Sequence, residues 1–201
     1  MEDVKMDALI EELRTQILRN GRIVNNEELQ VNDFWIQTKL LNKIGEKFAD
    51  IFKKDNPSKI LTIETSGIPI AAFCALKLGV PFGFARKHKR NVYENNVYIA
   101  KYWASDMKKQ IDIQVSKELI KHGDQVLIID DFLSSGEAVT GLHEIIKLAR
   151  AKLVGVGICI EKSFKVGAKN LKEKDIKLHS LIKIDSLDNN IIKIKEAGDC
   201  N

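Results

Sequence analysis

The stretch that decides the fold is VLIIDDFLSSGEAVTGL, residues 126–142. Four apolar residues predict a buried strand, which ends in the adjacent acids Asp130 and Asp131. A short loop with two serines and a glycine follows, and a helix comes next. The loop amides and the positive end of the helix dipole together form a cradle suited to a phosphate. The two carboxylates suit the vicinal hydroxyls of a ribose, so the whole segment predicts a site for a phosphorylated sugar.

A purely structural role for this segment is the alternative. Asp130, Asp131 and the serines could serve only as helix caps and turn residues. That alternative would be preferred for an isolated Ser-Ser-Gly. The combination of a buried strand, two acids and the loop favours a ligand site.

Outward from this segment, apolar strands alternate with helices, which indicates a largely parallel α/β sheet. An amphipathic helix that ends at Gly21 and a second helix that begins near Asn32 or Asp33 come first. In such sheets ligands bind beyond the carboxyl ends of the strands. The predicted strands are 59–64, 80–87, 124–131 and 152–162, with a hairpin formed by 96–103 and 110–116 and an edge hairpin near the C-terminus.

Composition places the chain among ordinary folded domains. It has 201 residues, 44% of them hydrophobic and 30% charged, with a net charge of +4. The charge fits small anionic ligands and does not by itself indicate nucleic acid. We expect one domain, no membrane span and no secretory signal. The three cysteines lack metal-binding spacing, which favours reduced thiols in the cytoplasm.

A basic run, FARKHKR at 84–90, ends one of the predicted strands. A solvated strand end or a nucleic-acid patch would explain the run alone. Because the run lies at the carboxyl end of a strand, facing the predicted phosphate loop, pyrophosphate is the better explanation. We expect His88 to be a surface residue.

Five segments in register resemble the type I phosphoribosyltransferases, and within them the bacterial group that acts on xanthine. The resemblance runs from about Gly21 to Lys195, through VNDF (31–34), TIETSGI (62–68), FARKHK (84–89), VLIIDDFL (126–133) and GICIEKSF (157–164). It implies a parallel sheet flanked by helices in a single domain, 1–201. Residues of about 1–35 would form an N-terminal helical hood over the base. The core would follow from about 36 to 201, with a flexible hairpin flap at 91–107.

The resemblance also implies roles for individual residues. The 5-phosphoribosyl-1-pyrophosphate (PRPP) site would consist of Asp130, Asp131, Ser134, Ser135, Gly136, Glu137 and Ala138. The pyrophosphate site would consist of Thr65, Ser66, Gly67, Arg86 and Lys87, with Glu64 nearby. The purine site would consist of Leu29, Ile36, Phe132 and Lys162, with Phe164 as the alternative stacking residue.

Lys162 bears on which purine is bound. An ammonium group donates to an exocyclic carbonyl oxygen and rejects an exocyclic amino group, which favours an oxopurine over adenine. The alternative is a salt bridge to Glu161 or another surface acid.

The chain departs from the family at three positions. The family's loop usually reads Ala-Asn-Gly-Gln-Ala, so Glu137 brings a negative charge that either points away from the phosphate or weakens its binding. Ile36 occupies a position that is polar in the family and cannot hydrogen-bond, although Gln37 could substitute for it. Ser134 stands where some relatives carry an acid, so we assign no catalytic residue.

Taken together, the resemblance implies transfer of the 5-phosphoribosyl group from PRPP to xanthine in purine salvage. Mg²⁺ would be carried mainly by PRPP and pyrophosphate, with no cluster of protein ligands. The enzyme would be a cytoplasmic homodimer. The alternatives are another purine substrate (hypoxanthine, guanine or adenine), a PRPP-sensing regulator that binds DNA, and a structural or interaction module.

Overall fold

The computed structural model describes residues 7–31, 36–88, 96–105 and 108–195. The helices in those ranges are α1 (Ala8–Asn20), α2 (Thr38–Phe52), α3 (Gly67–Leu78), α4 (Glu137–Leu148) and α5 (Gly167–Glu173). The strands are β1 (Arg22–Asn25), β2 (Glu28–Gln30), β3 (Lys59–Ile63), β4 (Phe82–His88), β5 (Val97–Ala104), β6 (Lys109–Ser116), β7 (Gln125–Leu133), β8 (Lys152–Lys162), β9 (Leu178–Ser186) and β10 (Lys193–Ile194).

Eight of these strands form one sheet in the order β10-β9-β8-β7-β3-β4-β6-β5. The central strands β9, β8, β7, β3 and β4 are parallel, and β10, β6 and β5 add antiparallel edges. The carboxyl ends of the parallel strands therefore meet at one edge, which we call the ligand edge. The predicted parallel sheet and both predicted hairpins are confirmed.

Two apolar cores cover the two faces of this sheet. One lies between the sheet and helices α1, α2 and α3, with Phe48 and Phe52 fully buried. The other lies beneath α4, with Ile113, Ile128 and Leu142 fully buried. Because both faces are covered, β7 and β8 are continuous apolar runs with no polar alternation. In the described ranges, no helix has the length and apolar character needed to cross a membrane.

The N-terminal segment packs against the first core. The Asp7 side chain caps α1 by accepting from the Leu9 amide at 3.0 Å, and Gly21 ends the helix. Strands β1 and β2 form a separate antiparallel hairpin, which belongs to the predicted hood. Leu13 and Leu29 are buried in the same cluster as the side chains of α2.

Two helices differ from the prediction. Helix α2 begins only at Thr38, after Gln37, so its start is later than predicted; Asn32 and Asp33 lie outside the described residues. Helix α5 was not predicted, because seven residues give too short a pattern to read. The predicted flap is described only at 96–105, and VNDF (31–34) only at Val31.

Candidate active site

Two acids stand at the ligand edge near the end of β7. Asp130 is only 4% exposed, and Asp131 is half-buried beside it. The Thr62 hydroxyl of β3 donates to Asp130 Oδ1 at 3.4 Å. Burial and the neighbouring Asp131 charge raise the pKa of Asp130 well above its ordinary value, and the charge of Lys87 partly opposes that shift. Asp130 is therefore held where negative charge is poorly solvated.

The predicted pyrophosphate loop packs directly on Asp130. Residues 64–66 form a turn after β3, with a cis peptide bond between Glu64 and Thr65, and α3 begins at Gly67. A Cβ atom at Gly67 would lie 2.4 Å from both Asp130 Oδ1 and Thr62 Oγ1. Because any side chain there would displace the carboxylate, glycine lets the N-terminus of α3 approach the acid pair.

Glu64 connects this loop to the basic end of β4. Its Oε1 accepts from the Lys87 amide at 2.6 Å, and its own amide donates to the Ala85 carbonyl at 3.1 Å. Lys87 acts electrostatically on Asp130, so its charge belongs to this site. Arg86 points to the other face of β4 and lines a groove of about 420 Å³ with Gln114 and Ser116. The two basic residues predicted for pyrophosphate thus face different sides of one strand, and Lys89 and Arg90 lie outside the described residues.

The phosphate loop, residues 134–136, leads from β7 into α4. Gly136 has φ of 80°, a left-handed conformation that glycine adopts without strain. Its carbonyl accepts from the Thr140 amide at 3.0 Å and the Thr140 hydroxyl at 3.1 Å. Ser134 and Ser135 remain partly exposed. The first-turn amides of α4 lack partners within the helix, so the loop and this helix start together offer the kind of backbone donors that an anion site requires.

Helix α5 supports the phosphate loop from behind, and sequence reasoning missed it. The Gly167 amide donates to the Ser134 carbonyl at 3.0 Å, and Asn170 Nδ2 donates to the Ser135 carbonyl at 3.1 Å. A Cβ atom at Gly167 would lie 2.2 Å from the Ser134 oxygen. The sequence offered one signal for this support: Gly167 lies shortly after β8, the strand whose last residue, Lys162, was predicted to bind the purine.

The carboxylate of Glu137 contacts the end of the β5–β6 hairpin. Oε2 accepts from the Ser105 amide at 3.0 Å, and Oε1 accepts from the Ser105 hydroxyl. Ser105 directly follows β5. Two hairpin donors therefore compensate the Glu137 carboxylate, while the Glu137 amide lies in the first turn of α4.

The predicted base site brings the hood and the core together. Lys162, at the end of β8, donates from Nζ to the Glu27 carbonyl at 2.9 Å and lies 5.6 Å from the centroid of the Phe132 ring. Lys165 Nζ pairs with the Glu27 carboxylate at 2.7 Å. Glu161, the alternative partner for Lys162, is buried and accepts from the Ser180 hydroxyl at 2.6 Å.

The remaining predicted base contacts differ in burial. Leu29 is 4% exposed and packs in the first core, where its Cδ1 approaches Gly21. Ile36 is 77% exposed, so its side chain is not packed into this site. Phe164 is half-buried, with Lys165 Nζ 6.0 Å from its ring centroid. Lys162 and Phe132 are thus the two predicted base contacts that the structure places side by side.

An acid pair, two loops that lead into helix N-termini and a basic strand end lie at one edge of a parallel sheet, an arrangement typical of α/β proteins that bind phosphorylated ligands. Residues 36–193 match the phosphoribosyl transferase domain model. The chain belongs to this family. The predicted family is therefore confirmed.

Curated relatives extend over nearly the whole chain. The xanthine phosphoribosyltransferase of Bacillus cereus (strain AH187) is 42% identical over 183 residues, which are 90% of this chain and 93% of that protein. The xanthine phosphoribosyltransferase of Oceanobacillus iheyensis is 40% identical over 192 residues, 94% of this chain and 99% of that protein.

Solved structures share the fold at lower identity. The adenine phosphoribosyltransferase of Rhodothermus marinus superposes with a TM-score of 0.73 at 21% identity, covering 88% of this chain and 98% of that chain. The Giardia lamblia enzyme solved with 9-deazaadenine superposes with a TM-score of 0.75 at 19% identity, covering 87% and 97%. These structures confirm the predicted fold class.

Proposed function

We propose that the protein transfers the 5-phosphoribosyl group of PRPP to xanthine and releases xanthosine 5′-monophosphate and pyrophosphate. The observation that carries the proposal is the position of Asp130 and Asp131. The phosphate loop follows the acid pair along the chain, beginning four residues after Asp130. Gly67 packs onto the Asp130 carboxylate from the other loop. The names of the relatives at 40–42% identity support xanthine as the acceptor.

Each part of the site has a separate task in this reaction. The amides of residues 134–138 bind the 5-phosphate. The acid pair accepts hydrogen bonds from the ribose hydroxyls, with the more exposed Asp131 closer to solvent. Thr65, Ser66 and Gly67 bind the departing pyrophosphate at the N-terminus of α3, and Lys87 neutralises part of its charge.

The chemical step needs positioning more than proton transfer. The bond from the anomeric carbon to pyrophosphate breaks, with its electron pair leaving on pyrophosphate, and the purine nitrogen attacks through an oxocarbenium-like state. Xanthine is a comparatively acidic purine, so the proton of the attacking nitrogen passes to solvent without a strong protein base. Holding both reactants in line supplies much of the rate enhancement. Donors aimed at the leaving group supply the rest, because they stabilise charge that develops only as the bond breaks.

Mg²⁺ is part of the proposal as a partner of PRPP. Within the described residues there is no group of three or more His, Cys, Asp or Glu side chains that could hold a metal ion. This donor set fits an ion that keeps most of its oxygen ligands from phosphate and water. Asp131 is the protein carboxylate best exposed to approach it. When bound, the ion would neutralise charge on the pyrophosphate.

Lys162 supports an oxopurine as the base. Its ammonium has three donors, so it can keep the Glu27 carbonyl and still donate to an exocyclic oxygen of the base. Phe132 offers a ring face beside it. Adenine would present an amino group to that ammonium and leave two donors facing each other.

A substrate panel tests the function. The purified protein is incubated with PRPP, Mg²⁺ and one of xanthine, guanine, hypoxanthine or adenine, and nucleotide formation is measured. We expect xanthine to give the highest kcat/KM. Turnover of adenine without xanthine would overturn the base assignment, and DNA binding without nucleotide formation would indicate the regulator instead.

Lys162→Met then tests the base contact, because methionine keeps the length of the side chain and removes the donor. We expect the KM for xanthine to rise roughly 10- to 100-fold, the range for a hydrogen bond to a charged group. Lys169→Met, a similar change on the exposed side of α5, is the matched control. An unchanged preference among the four bases in Lys162→Met would contradict the role of Lys162.

We further propose that the protein acts as a homodimer in the cytoplasm. The face of β4, β6 and β5 opposite α4 carries the large exposed side chains Trp103 and Phe82. On the same face the buried Gln114 side-chain oxygen has no hydrogen-bond partner in the described part of the chain. Cys74 and Cys159 are buried free thiols, which suits a reducing compartment. Sedimentation velocity tests the assembly, and a mass of one chain at micromolar concentration would contradict it.

A further inference from the structure

In the described residues, the β5–β6 hairpin extends beyond the last residue of β4 at the ligand edge. Strand β4 ends at His88, opposite Asp112 of β6, whereas β5 continues until Ala104 pairs with Lys109. The end of the hairpin therefore projects three residues further, about 10 Å. It lies on the same side of the molecule as the phosphate loop, because β5 runs in the same direction as β4 and β7.

Two contacts hold the end of this hairpin against α4. The Glu137 carboxylate accepts from both the amide and the hydroxyl of Ser105. One helical turn later, Gly141 faces Tyr102, with 3.1 Å between the Tyr102 ring and the position of a Cβ atom on the glycine. Residues 137 and 141 lie on one face of α4, so together they fix the hairpin along the helix axis.

Glu137 also occupies the first turn of the helix that follows the phosphate loop. Its amide points towards the anion site, while its side chain reaches the hairpin. A free carboxylate at this position would repel a phosphate dianion a few ångströms away. The two Ser105 donors hold that carboxylate at the hairpin and stabilise its charge there. One residue thus contacts both the phosphate site and the hairpin.

We propose that Glu137 is a positioning residue that couples binding of the 5-phosphate to the placement of the β5–β6 hairpin. The proposal rests on the proposed function. When the amides of residues 136–138 close on a phosphate, the backbone of Glu137 is fixed, and its side chain fixes Ser105. By reciprocity, an ordered hairpin pre-organises the phosphate site. The residue acts through Ser105 and the loop, and it does not contact the reacting atoms.

Three variants separate the positioning role from the charge. Glu137→Ala removes the contact and the charge. Glu137→Gln keeps the contact, because its amide oxygen accepts from the Ser105 N–H and its NH₂ group donates to the Ser105 hydroxyl, but it removes the charge. Glu144→Ala, which removes another carboxylate from α4 that pairs only locally with Lys147, is the matched control.

Hydrogen exchange gives a readout that does not depend on turnover. Ribose 5-phosphate is the probe, and exchange is followed in residues 97–105 and 108–116. In the wild type and in Glu137→Gln we expect the ligand to slow exchange of the hairpin about fivefold or more. In Glu137→Ala the hairpin exchanges faster without ligand, and the ligand-induced slowing is lost.

Kinetics give the second readout. We expect Glu137→Ala to raise the KM for PRPP roughly three- to tenfold and to leave the KM for the base within twofold. We expect Glu137→Gln to have a KM for PRPP at or below that of the wild type. Circular dichroism and urea unfolding confirm that each variant is folded.

The outcomes distinguish this proposal from the proposed function. If the wild type makes no nucleotide from any of the four bases, the function is wrong. If the wild type is active but Glu137→Ala retains ligand-induced slowing of the hairpin and an unchanged KM for PRPP, the coupling is wrong. Equal defects in Glu137→Gln and Glu137→Ala would show that the charge matters and the contact with Ser105 does not.

Discussion

Replacing Gly167 with alanine is expected to disturb the phosphate loop, although residue 167 is 31 positions from Gly136. The new Cβ atom would lie 2.2 Å from the Ser134 carbonyl oxygen and 3.1 Å from the Gly136 nitrogen. A carbon and an oxygen approach to about 3.3 Å at closest. Either the loop or the start of α5 must therefore move by about 1 Å.

The free-energy cost of Gly167→Ala has two parts. Forcing a methyl group into a packed site costs about 1–3 kcal/mol. Weakening the hydrogen bond from the Gly167 amide to the Ser134 carbonyl, 3.0 Å long, adds about 1 kcal/mol. Both contacts are with the backbone of the phosphate loop, so part of the cost appears as lost PRPP affinity. A shift of about 1 Å in a binding loop can lower the rate about 100-fold, and we expect kcat/KM for PRPP to fall at least tenfold.

The assay measures initial rates against PRPP concentration at saturating base, alongside urea unfolding. Gly79→Ala is the control, because Gly79 has φ of 70° and open space around its Cβ position, so alanine there strains the backbone without touching the site. We expect Gly79→Ala to lose stability and keep its KM for PRPP. If Gly167→Ala keeps kcat/KM for PRPP within twofold of wild type, α5 does not support the phosphate loop.

Two further predictions concern charges at the ligand edge. Burial and the adjacent acid raise the pKa of Asp130, so the folded state holds the proton of this carboxyl group more tightly than the unfolded chain does. The stability that this proton gives the folded state is lost as the pH rises through the raised pKa. Asp130→Asn is therefore expected to be about 1–2 kcal/mol more stable than wild type near pH 7, and to bind PRPP more weakly. The gain in stability should disappear below the ordinary aspartate pKa of 3.8. Urea unfolding across pH checks this, and no gain at pH 7 would contradict it. Glu64→Ala removes the acceptor of the Lys87 amide. It is expected to raise the KM for pyrophosphate in the reverse reaction about three- to tenfold. Glu118→Ala, on the exposed end of the turn after β6, should leave that KM unchanged.

The parts of the fold that the sequence predicted well are those decided locally. Strand β8 occupies residues 152–162 as predicted, because a strand buried on both faces is a continuous apolar run with polar flanks. Helix α3 ends at Gly79, whose left-handed conformation satisfies the last carbonyls. The loop after β7 was equally readable, since its acids and its glycine are adjacent in sequence.

The parts that the sequence could not predict depend on distant partners. The direction of the Glu137 side chain is set by Ser105, 32 residues earlier in the chain. The support from Gly167 is set by the Ser134 carbonyl, which no local pattern reveals. Leu29 was predicted to contact the base on resemblance alone; its side chain packs in the first core, and its contact with the base stays a prediction.

The acids at the ligand edge differ in how their charge is compensated, and this difference indicates where ligand binding is strongest. Glu64 and Glu137 each accept from a backbone N–H of another strand or turn, so their carboxylates are already stabilised by the fold. Asp130 is buried beside a second acid and has a raised pKa, with a neutral hydroxyl 3.4 Å away. This environment makes the ionised form of Asp130 unfavourable in the folded protein. In the proposed function the ribose hydroxyls donate to this carboxylate, so binding of the sugar would recover part of that free energy.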